Sequence, residues 1–428
     1  MLNDLRSRHL SGRTSGQVAV CSAHPLVLAA AAARAKRDGT LLLVEATANQ
    51  VNLSGGYTGM TPADFADHMT RQAADSGLAT EQILLGADHL GPHLWRQLPA
   101  MEAMSHAEAL TRAFVAAGYG KLHLDTGRAC ADDPSGRLPV KLAAQRAAAL
   151  CRAAESTAGH FRRQPPWYVI GTEVPAPGGT LGQNGDTTVT DPQDLRVELA
   201  HYEEAFSWAG VEQAWERILA VVVQPGVDFD DHRAAGYHPQ AATALSAFHE
   251  QLPNAMNFEI HATDYQTPSA LEQMVRDHFT LLKIGPCLTF ALREALFALA
   301  HIENELPCLA HRSNLMAVME RLMQTHPEHG NAHYHGTAQE RHYLRRYGLR
   351  DRILYYWPQT EARKACEQLM HNLSKPIPRP LLLQFLPDLT EAITSGALPA
   401  TPEAILQARI QSALHPYVDA CRRHAHTA

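Results

Sequence analysis

Short, almost continuously apolar runs alternate along this chain with longer amphipathic stretches. Runs such as LLLVE, ILLGAD and LAVVVQ are typical of strands that helices cover on both faces, as in a parallel sheet. The sequence predicts eight such strands: Gln17–Cys21, Leu41–Glu45, Ile83–Asp88, Leu122–Asp125, Tyr168–Glu173, Leu219–Gln224, Phe258–His261 and Leu281–Gly285.

The stretches between these strands are rich in Ala and Leu with a period near 3.6, which predicts helices. They include Pro25–Lys36, Ala63–Ala74, His106–Ala117, Leu142–Ser156 and Thr267–Phe279. Thr61 followed by Pro62 predicts a capped start for the second of them. Eight strand–helix units predict an α/β fold of the (β/α)₈, or TIM-barrel, type. An open doubly wound sheet is the alternative, but no GxGxxG follows the first strand, which argues against a dinucleotide-binding version.

The strand pattern stops after about Glu303, and the rest of the chain has only helical patterns. These segments are Leu315–Met323, Glu361–Leu373, Leu381–Leu386 and Pro402–Leu414. We therefore predict a barrel over residues 1–303. Residues 304–428 are predicted to form a helical extension that packs on the barrel or at a subunit interface.

Charge and cysteine usage narrow the class of protein. The net charge is −7 and no basic stripe with interleaved aromatics occurs, so a nucleic-acid partner is not expected. The apolar run from Pro25 to Ala33 is too short to span a bilayer, and no membrane association is expected. The seven cysteines are scattered without a CxxC pair, which argues against a disulfide framework and favours the cytoplasm.

Each predicted strand ends in a side chain with chemical capacity. A single polar residue after a strand is ordinary, because loops are polar. Eight of them would meet at one end of a barrel, and that end is where barrel enzymes place their active sites. The sequence thus predicts one pocket that gathers strand-end carboxylates, among them Asp88 and Glu173. Its predicted substrate-binding residues are Glu45, Asn49, Asp125, Asp264, Lys283 and Gly285.

The pair Asp88-His89 directly follows an apolar run and suggests a metal site. Neutral imidazole suits zinc and similar ions, and His261 would approach from the opposite side of the barrel. Gln224 could supply an oxygen ligand. The predicted cofactor is therefore a divalent metal, Zn²⁺ or Mn²⁺, although a hydrogen-bonded buried histidine is the alternative for His89.

Glycines follow three of the strands, at Gly55-Gly56, Gly178-Gly179 and Gly285-Pro286. Such loops let backbone amides approach phosphate or sugar oxygens, and after strand eight this is a common barrel phosphate site. A plain turn is the alternative at each position. Lys283 could neutralise a phosphate or assist a proton transfer.

Long blocks of the chain resemble the GatZ/KbaZ family, the subunits associated with class II D-tagatose-1,6-bisphosphate aldolase. They include EATANQVNLSGGYTGMTPADF, GADHLGPHLW, VVVQPGV, HATDYQT, VRDHFTLLKIGPCLTFALREALFALA and RILYYWP, in the same order, from about Cys21 to Pro358. The resemblance implies a barrel related to zinc-dependent class II aldolases and an oligomer with a separate catalytic aldolase subunit. This subunit would support the activity and stability of a partner that cleaves tagatose 1,6-bisphosphate to glycerone phosphate and glyceraldehyde 3-phosphate.

Related barrels are metal-dependent 4-epimerases of ketoses or hexuronates that use retro-aldol chemistry, and this is the alternative function. The resemblance implies Asp88 as proton acceptor and Glu173 as proton donor, with His89 and His261 as metal ligands. Gln224 stands where those enzymes and the class II aldolases have histidine, and its amide oxygen is a weaker zinc ligand. That departure favours the supporting role. The sequence leaves open whether the chain is itself catalytic, which sugar it handles and in what phosphorylation state, and whether it serves galactitol or N-acetylgalactosamine breakdown. An unrelated barrel enzyme is the third possibility.

Overall fold

Eight parallel strands close into a barrel in this computed structural model, which describes residues 2–135, 138–172, 187–307, 311–330 and 333–422. The strands are β1 (Gln17–Val20), β2 (Leu42–Thr47), β3 (Ile83–Leu90), β4 (Lys121–Leu124), β5 (Trp167–Ile170), β6 (Ile218–Val222), β7 (Asn257–Ile260) and β8 (Phe279–Ile284). Each strand pairs with the next along the chain, and β8 pairs with β1. This confirms the predicted (β/α)₈ fold and rules out the open sheet.

Helices surround the barrel and continue beyond it. Those up to the end of the barrel are Leu5–Leu10, Pro25–Asp38, Pro62–Ser76, Ala100–Ala116, Val140–His160, Pro192–Trp208, Glu212–Trp215, Pro239–Phe248, Pro268–Arg276 and Pro286–Glu305. Those that follow are Leu315–Thr325, Ala338–Tyr347, Thr360–Asn372, Arg379–Phe385, Pro387–Thr394 and Pro402–Arg422. A two-stranded antiparallel sheet, Asp228–Phe229 with Ala234–Ala235, lies between β6 and β7 in the chain.

Local signals account for several helix ends. Thr61 caps its helix as predicted: its hydroxyl accepts from the Asp64 backbone N–H, and the Asp64 carboxylate accepts from the Thr61 backbone N–H in return. The predicted helix Thr267–Phe279 is wrong at its end. It stops at Arg276, His278 takes a left-handed conformation with φ +71°, and Phe279 begins β8.

The strand side chains alternate between two cores. Val18 and Val20 face the surrounding helices, whereas Ala19 belongs to a smaller apolar cluster on the other face of the strands, inside the barrel. That inner cluster includes Leu43, Val169, Ala220 and Leu281, and Leu2 and Leu5 pack against it. The amino ends of the strands are therefore filled with apolar side chains, which leaves the carboxyl ends for polar chemistry.

The last helix, Pro402–Arg422, packs on the barrel. The backbone N–H of Gly16, just before β1, donates to the carbonyl of Cys421 at 3.0 Å. The Tyr417 hydroxyl donates to the carbonyl of Thr263 at 2.8 Å. The C-terminal helices are thus present as predicted, while the domain boundary at residue 303 stays a prediction, since the helix Pro286–Glu305 runs across it. Within the described part of the chain, no helix has the length and apolar character needed to cross a membrane.

Candidate functional site

A layer of four buried charges lies directly above the apolar layer inside the barrel. Glu45 and Lys283 each follow an inner-cluster residue by two positions in their strands, so they point inward one layer higher. Lys121 of β4 contacts Glu45 and lies 2.7 Å from Glu259 of β7, Nζ to Oε2. Lys283 lies 2.8 Å from Glu45 and 3.5 Å from Glu259, Nζ to carboxylate oxygen in both cases. The two ammonium groups thus neutralise the two glutamates away from water.

Both lysines are held in the charged form. Burial disfavours the ammonium of Lys121, but the charges of Glu259 and Glu45 outweigh it and raise the pKa of that group. For Lys283 the charges of Asp88 and Glu45 likewise outweigh burial and raise its pKa well above the usual value. A protonated lysine is not a nucleophile, so the arrangement does not favour Schiff-base chemistry at either position.

Asp88, the predicted base, lies above this layer at the end of β3. One carboxylate oxygen contacts Lys283 Nζ and also lies 2.6 Å from His123 Nδ1, while the other lies 3.4 Å from His89 Nε2. Burial opposes ionisation of Asp88, but the charges of His89 and Lys283 and the His123 hydrogen bond hold its pKa well below the usual range. Asp88 is therefore a paired carboxylate at neutral pH.

His89 adopts a left-handed backbone conformation, φ +54°, directly after Asp88. Its Nδ1 lies 2.8 Å from Asp125 Oδ2, at the end of β4. Burial disfavours the imidazolium, but the charges of Asp88 and Asp125 outweigh it and raise the pKa of His89. His89 is thus hydrogen-bonded, as the alternative to a metal ligand required, and it is partly exposed to the pocket. Metal ligation by His89 stays a prediction.

Asp88, His123 and His261 form a group in which one ligand atom from each lies within 4.8 Å of the others. Burial and the charge of Lys283 lower the pKa of His261 to about 3, so its imidazole is neutral. The Nε2 atom of His123 is buried without a hydrogen-bond partner among the described residues. Two imidazoles and a carboxylate suit a divalent first-row ion, so these residues fit the predicted metal.

His123 is the candidate ligand that the sequence analysis missed, because it lies inside a run assigned as a buried strand. The signal was present in the alternation of KLHLD, which puts Lys121, His123 and Asp125 on one face of β4. Glu259 was missed for the same reason: the sequence NFEIH sets it on the face that also carries His261.

The remaining predicted residues fall in three places. Asp264, Lys283 and Gly285 line the open pocket, while Asn49 is next to the lining residue Gln50. Gln224 Oε1 accepts from the backbone N–H groups of Gly226 and Val227, both at 2.9 Å, so its amide oxygen stabilises a turn. A ligand role for Gln224 stays a prediction. Glu173 and Gly178-Gly179 lie outside the described residues.

The pocket has two walls. One comes from the strand ends, with Cys21, Thr47, Asp88, His89, His261 and Lys283. The other comes from far along the chain, with Arg350, Arg352, Leu354 and Tyr355. The second wall closes the barrel mouth on one side and adds two guanidinium groups that the sequence analysis did not assign to the site.

Gly91, directly after β3, lies close to Asp125 at the end of β4, and this contact yields a testable prediction. A Cβ atom at this position would lie 1.7 Å from the carbonyl oxygen of Asp125. Gly91→Ala must therefore push the two strand ends apart, and we expect it to destabilise the protein by about 1–3 kcal/mol, as overpacking does. Thermal unfolding of Gly91→Ala beside Gly159→Ala measures this, since an added Cβ at Gly159 meets nothing within 4 Å. Equal melting temperatures for the two variants would contradict it.

The closed barrel and the charged pocket at the carboxyl ends of its strands define a TIM-barrel protein with a pocket at the barrel mouth. The chain belongs to the GatZ/KbaZ-like family of D-tagatose-1,6-bisphosphate aldolase subunits, which it matches over residues 2–422. This confirms the family resemblance of the sequence.

Three solved structures are similar to this chain to different degrees. A probable tagatose 6 phosphate kinase from Sinorhizobium meliloti 1021 is 42% identical, with a TM-score of 0.87 over 95% of this chain and 100% of that chain. The fructuronate-tagaturonate epimerase UxaE from Cohnella laeviribosi is 13% identical, with a TM-score of 0.49 over 95% of this chain and 81% of that chain. The fructose-bisphosphate aldolase from Campylobacter jejuni is 12% identical, with a TM-score of 0.44 over 87% of this chain and 91% of that chain. The last two superpositions are too loose to bear on function.

Proposed function

We propose that this chain is a supporting subunit of a tagatose-bisphosphate aldolase, which sustains the activity and stability of a separate catalytic subunit. That partner would cleave tagatose 1,6-bisphosphate to glycerone phosphate and glyceraldehyde 3-phosphate. Membership of the aldolase-subunit family supports the proposal. The observation that carries it is the engagement of Asp88, whose carboxylate contacts Lys283 and His123 where retro-aldol chemistry needs a free base.

The position of Gln224 supports the same conclusion. A class II aldolase would use a histidine there as a metal ligand, as the family resemblance implies. Here the amide oxygen is bonded to two backbone N–H groups of its own loop. Recruiting it to a metal would leave both of these donors without their present partner, so the loop does not favour Gln224 as a metal ligand.

The test is an aldolase assay with and without this chain. We expect the purified chain alone to leave tagatose 1,6-bisphosphate uncleaved. Added to a class II tagatose-bisphosphate aldolase subunit, it should lengthen the half-life of that subunit's activity severalfold and co-elute with it in size exclusion. A stable pair should bury an interface on the order of 1,200 Å² or more. The same assay with bovine serum albumin at equal concentration is the control for nonspecific protection.

A second candidate, a metal-dependent ketose or hexuronate 4-epimerase, is favoured by the grouping of Asp88, His123 and His261. These three residues would hold the ion, which when bound would act as a Lewis acid on the ketose oxygens. Lys283, in contact with Asp88, would then neutralise charge beside the sugar. Turnover of tagaturonate or fructose by the chain alone, lost in Asp88→Asn and on chelation, would replace the supporting role with this one.

Other aspects of function remain expectations. The Sinorhizobium relative is described as a probable kinase, but this sequence contains no GxxxxGK[ST] loop, and we do not propose kinase activity. The metal, the cytoplasmic location, oligomer formation and the catabolic pathway, galactitol or N-acetylgalactosamine, stay predictions.

A further inference from the structure

A short segment from the C-terminal part of the chain, residues 349–356, forms the second wall of the pocket, and we call it the strap. Arg350, Arg352, Leu354 and Tyr355 of the strap all line the pocket. The ring of Tyr355 packs edge-on against Tyr57 from the loop after β2, with ring centroids 4.6 Å apart. The strap therefore lies against the strand-end loops at the mouth of the barrel.

A strained residue between the two arginines is held firmly in place. Asp351 has φ +47°, a left-handed conformation that is strained for a residue other than glycine. Its carboxylate accepts from Nε of the buried Arg293 at 2.6 Å. Arg293 also donates from Nη1 to the carbonyl of Arg346 at 2.5 Å. The left-handed backbone conformation at Asp351 lies between Arg350 and Arg352, and both of these side chains line the same pocket.

The usual phosphate position of a barrel is already filled by a carboxylate. In many barrels the amides after β8, at the start of the next helix, bind phosphate. Here the backbone N–H groups of Gly285 and Cys287 donate to Asp264 Oδ1 at 3.1 and 2.8 Å. A phosphate at this helix end would meet a carboxylate, so an anionic ligand needs another partner in the pocket.

We propose that the pocket binds a small phosphate monoester of a ketose, with its phosphate against Arg350 and Arg352 of the strap. The sugar would extend toward His261 and Lys283 at the strand ends, which line the same pocket. This goes beyond the supporting role, because a supporting subunit needs no ligand of its own. It gives the subunit a binding site for the class of compound that its catalytic partner would handle.

The two guanidinium groups retain donors for an anion. Each has five N–H donors in a fork that matches phosphate. Arg350 donates from Nη1 to Asp231 Oδ2 at 3.0 Å, and its Nε is buried without a partner in the described ranges. Arg352 donates from Nε to the carbonyl of His329 at 2.7 Å and from Nη1 to the Tyr355 hydroxyl at 3.4 Å. These contacts fix the guanidinium groups and leave the rest of each fork for a ligand.

Isothermal titration of the full chain with D-tagatose 6-phosphate, D-tagatose and inorganic phosphate tests the proposal. We expect the phosphate ester to bind at least tenfold more tightly than either of the other two. Arg352→Ala should lower the affinity for the ester at least tenfold and leave D-tagatose binding unchanged. Arg363→Ala is the matched control, because Arg363 is exposed on the helix Thr360–Asn372; it should bind like the wild type.

Several outcomes would overturn the proposal. Equal binding of the ester and the free sugar would, and so would an unchanged ester affinity in Arg352→Ala. Inorganic phosphate binding as tightly as the ester would make this a free-anion site. If Arg352→Ala does not fold, Arg352→Lys takes its place, and it should lose at least threefold in ester affinity because an ammonium cannot form the fork.

The same variants separate this proposal from the supporting role. We expect Arg352→Ala to prolong the activity of the catalytic subunit as the wild type does. If the wild-type chain binds the ester but does not prolong the activity of the catalytic subunit, only the supporting role is contradicted. If it prolongs that activity but does not bind the ester, only the phosphate site is contradicted.

Discussion

Lys121→Met should destabilise the protein by about 3–5 kcal/mol at pH 7, because it removes one partner from a buried ion pair. Lys121 is fully buried and contacts both Glu45 and Glu259. Without Lys121, Lys283 is the one ammonium group among the described residues that still contacts the two glutamates. The repulsion between the two carboxylates is then no longer balanced. Urea unfolding followed by circular dichroism measures the difference.

The pH dependence of the stability lost in Lys121→Met shows whether the buried ion pairs are its cause. In the wild type, burial opposes ionisation of Glu259, but Lys121 and Lys283 hold its pKa well below the usual value. That stabilisation is present above the pKa of the unfolded chain, about 4.3, and fades as pH falls toward the folded pKa. The gap between Lys121→Met and the wild type should therefore narrow below about pH 4. Lys364→Met, at an exposed position, is the control; a gap under 1 kcal/mol at pH 7 would contradict the ion-pair account.

The free energy of unfolding should fall by roughly 3 kcal/mol for each neutral, desolvated histidine between pH 6.5 and pH 4. Burial lowers the pKa of His9 and His24 to about 4 and that of His249 and His261 to about 3. The unfolded chain takes up protons at these positions below about pH 6.5, whereas the folded protein does not. Stability is thus complete above pH 6.5 and decreases by about 1.4 kcal/mol per pH unit per group until the folded pKa is reached.

His249 isolates one contribution to this acid sensitivity. Both of its ring nitrogens are buried without a partner in the part of the chain that the structure describes, and its ring stacks on His278 with centroids 4.5 Å apart. His249→Phe keeps a ring for stacking but cannot take up a proton. Its stability should fall less steeply than the wild type's between pH 6 and 4 in urea unfolding series. The exposed His415→Phe should follow the wild type, and parallel curves for both variants would contradict the assignment.

The sequence predicted the barrel well because strands covered on both faces are continuously apolar, and every one of the eight runs became a strand. It located Asp88, His261 and Lys283 because polar residues at strand ends interrupt that pattern. It missed His123 and Glu259 because a polar residue inside an apolar run is visible only through alternation between barrel interior and exterior. It missed Lys121 because the predicted strand began one residue later, at Leu122.

Other features depend on contacts that no local pattern contains. The strap reaches the pocket from beyond the barrel, and its position depends on the buried pair Arg293–Asp351. The hydrogen bonds that the Gln224 amide oxygen accepts depend on the path of the loop that follows β6. Asp264 lines the pocket, and its contact with substrate stays a prediction. Its carboxylate also accepts from the backbone N–H groups of Gly285 and Cys287, a contact that depends on two loops meeting in space.

The bond from Gly16 to Cys421 has a consequence for how the protein is made. It joins the start of β1 to the helix Pro402–Arg422, so a nascent chain that has completed all eight strands still lacks the helix that covers the first of them. A fragment that stops at residue 303 would therefore expose that apolar surface. The barrel and the helices after it should consequently melt as one cooperative unit rather than as two.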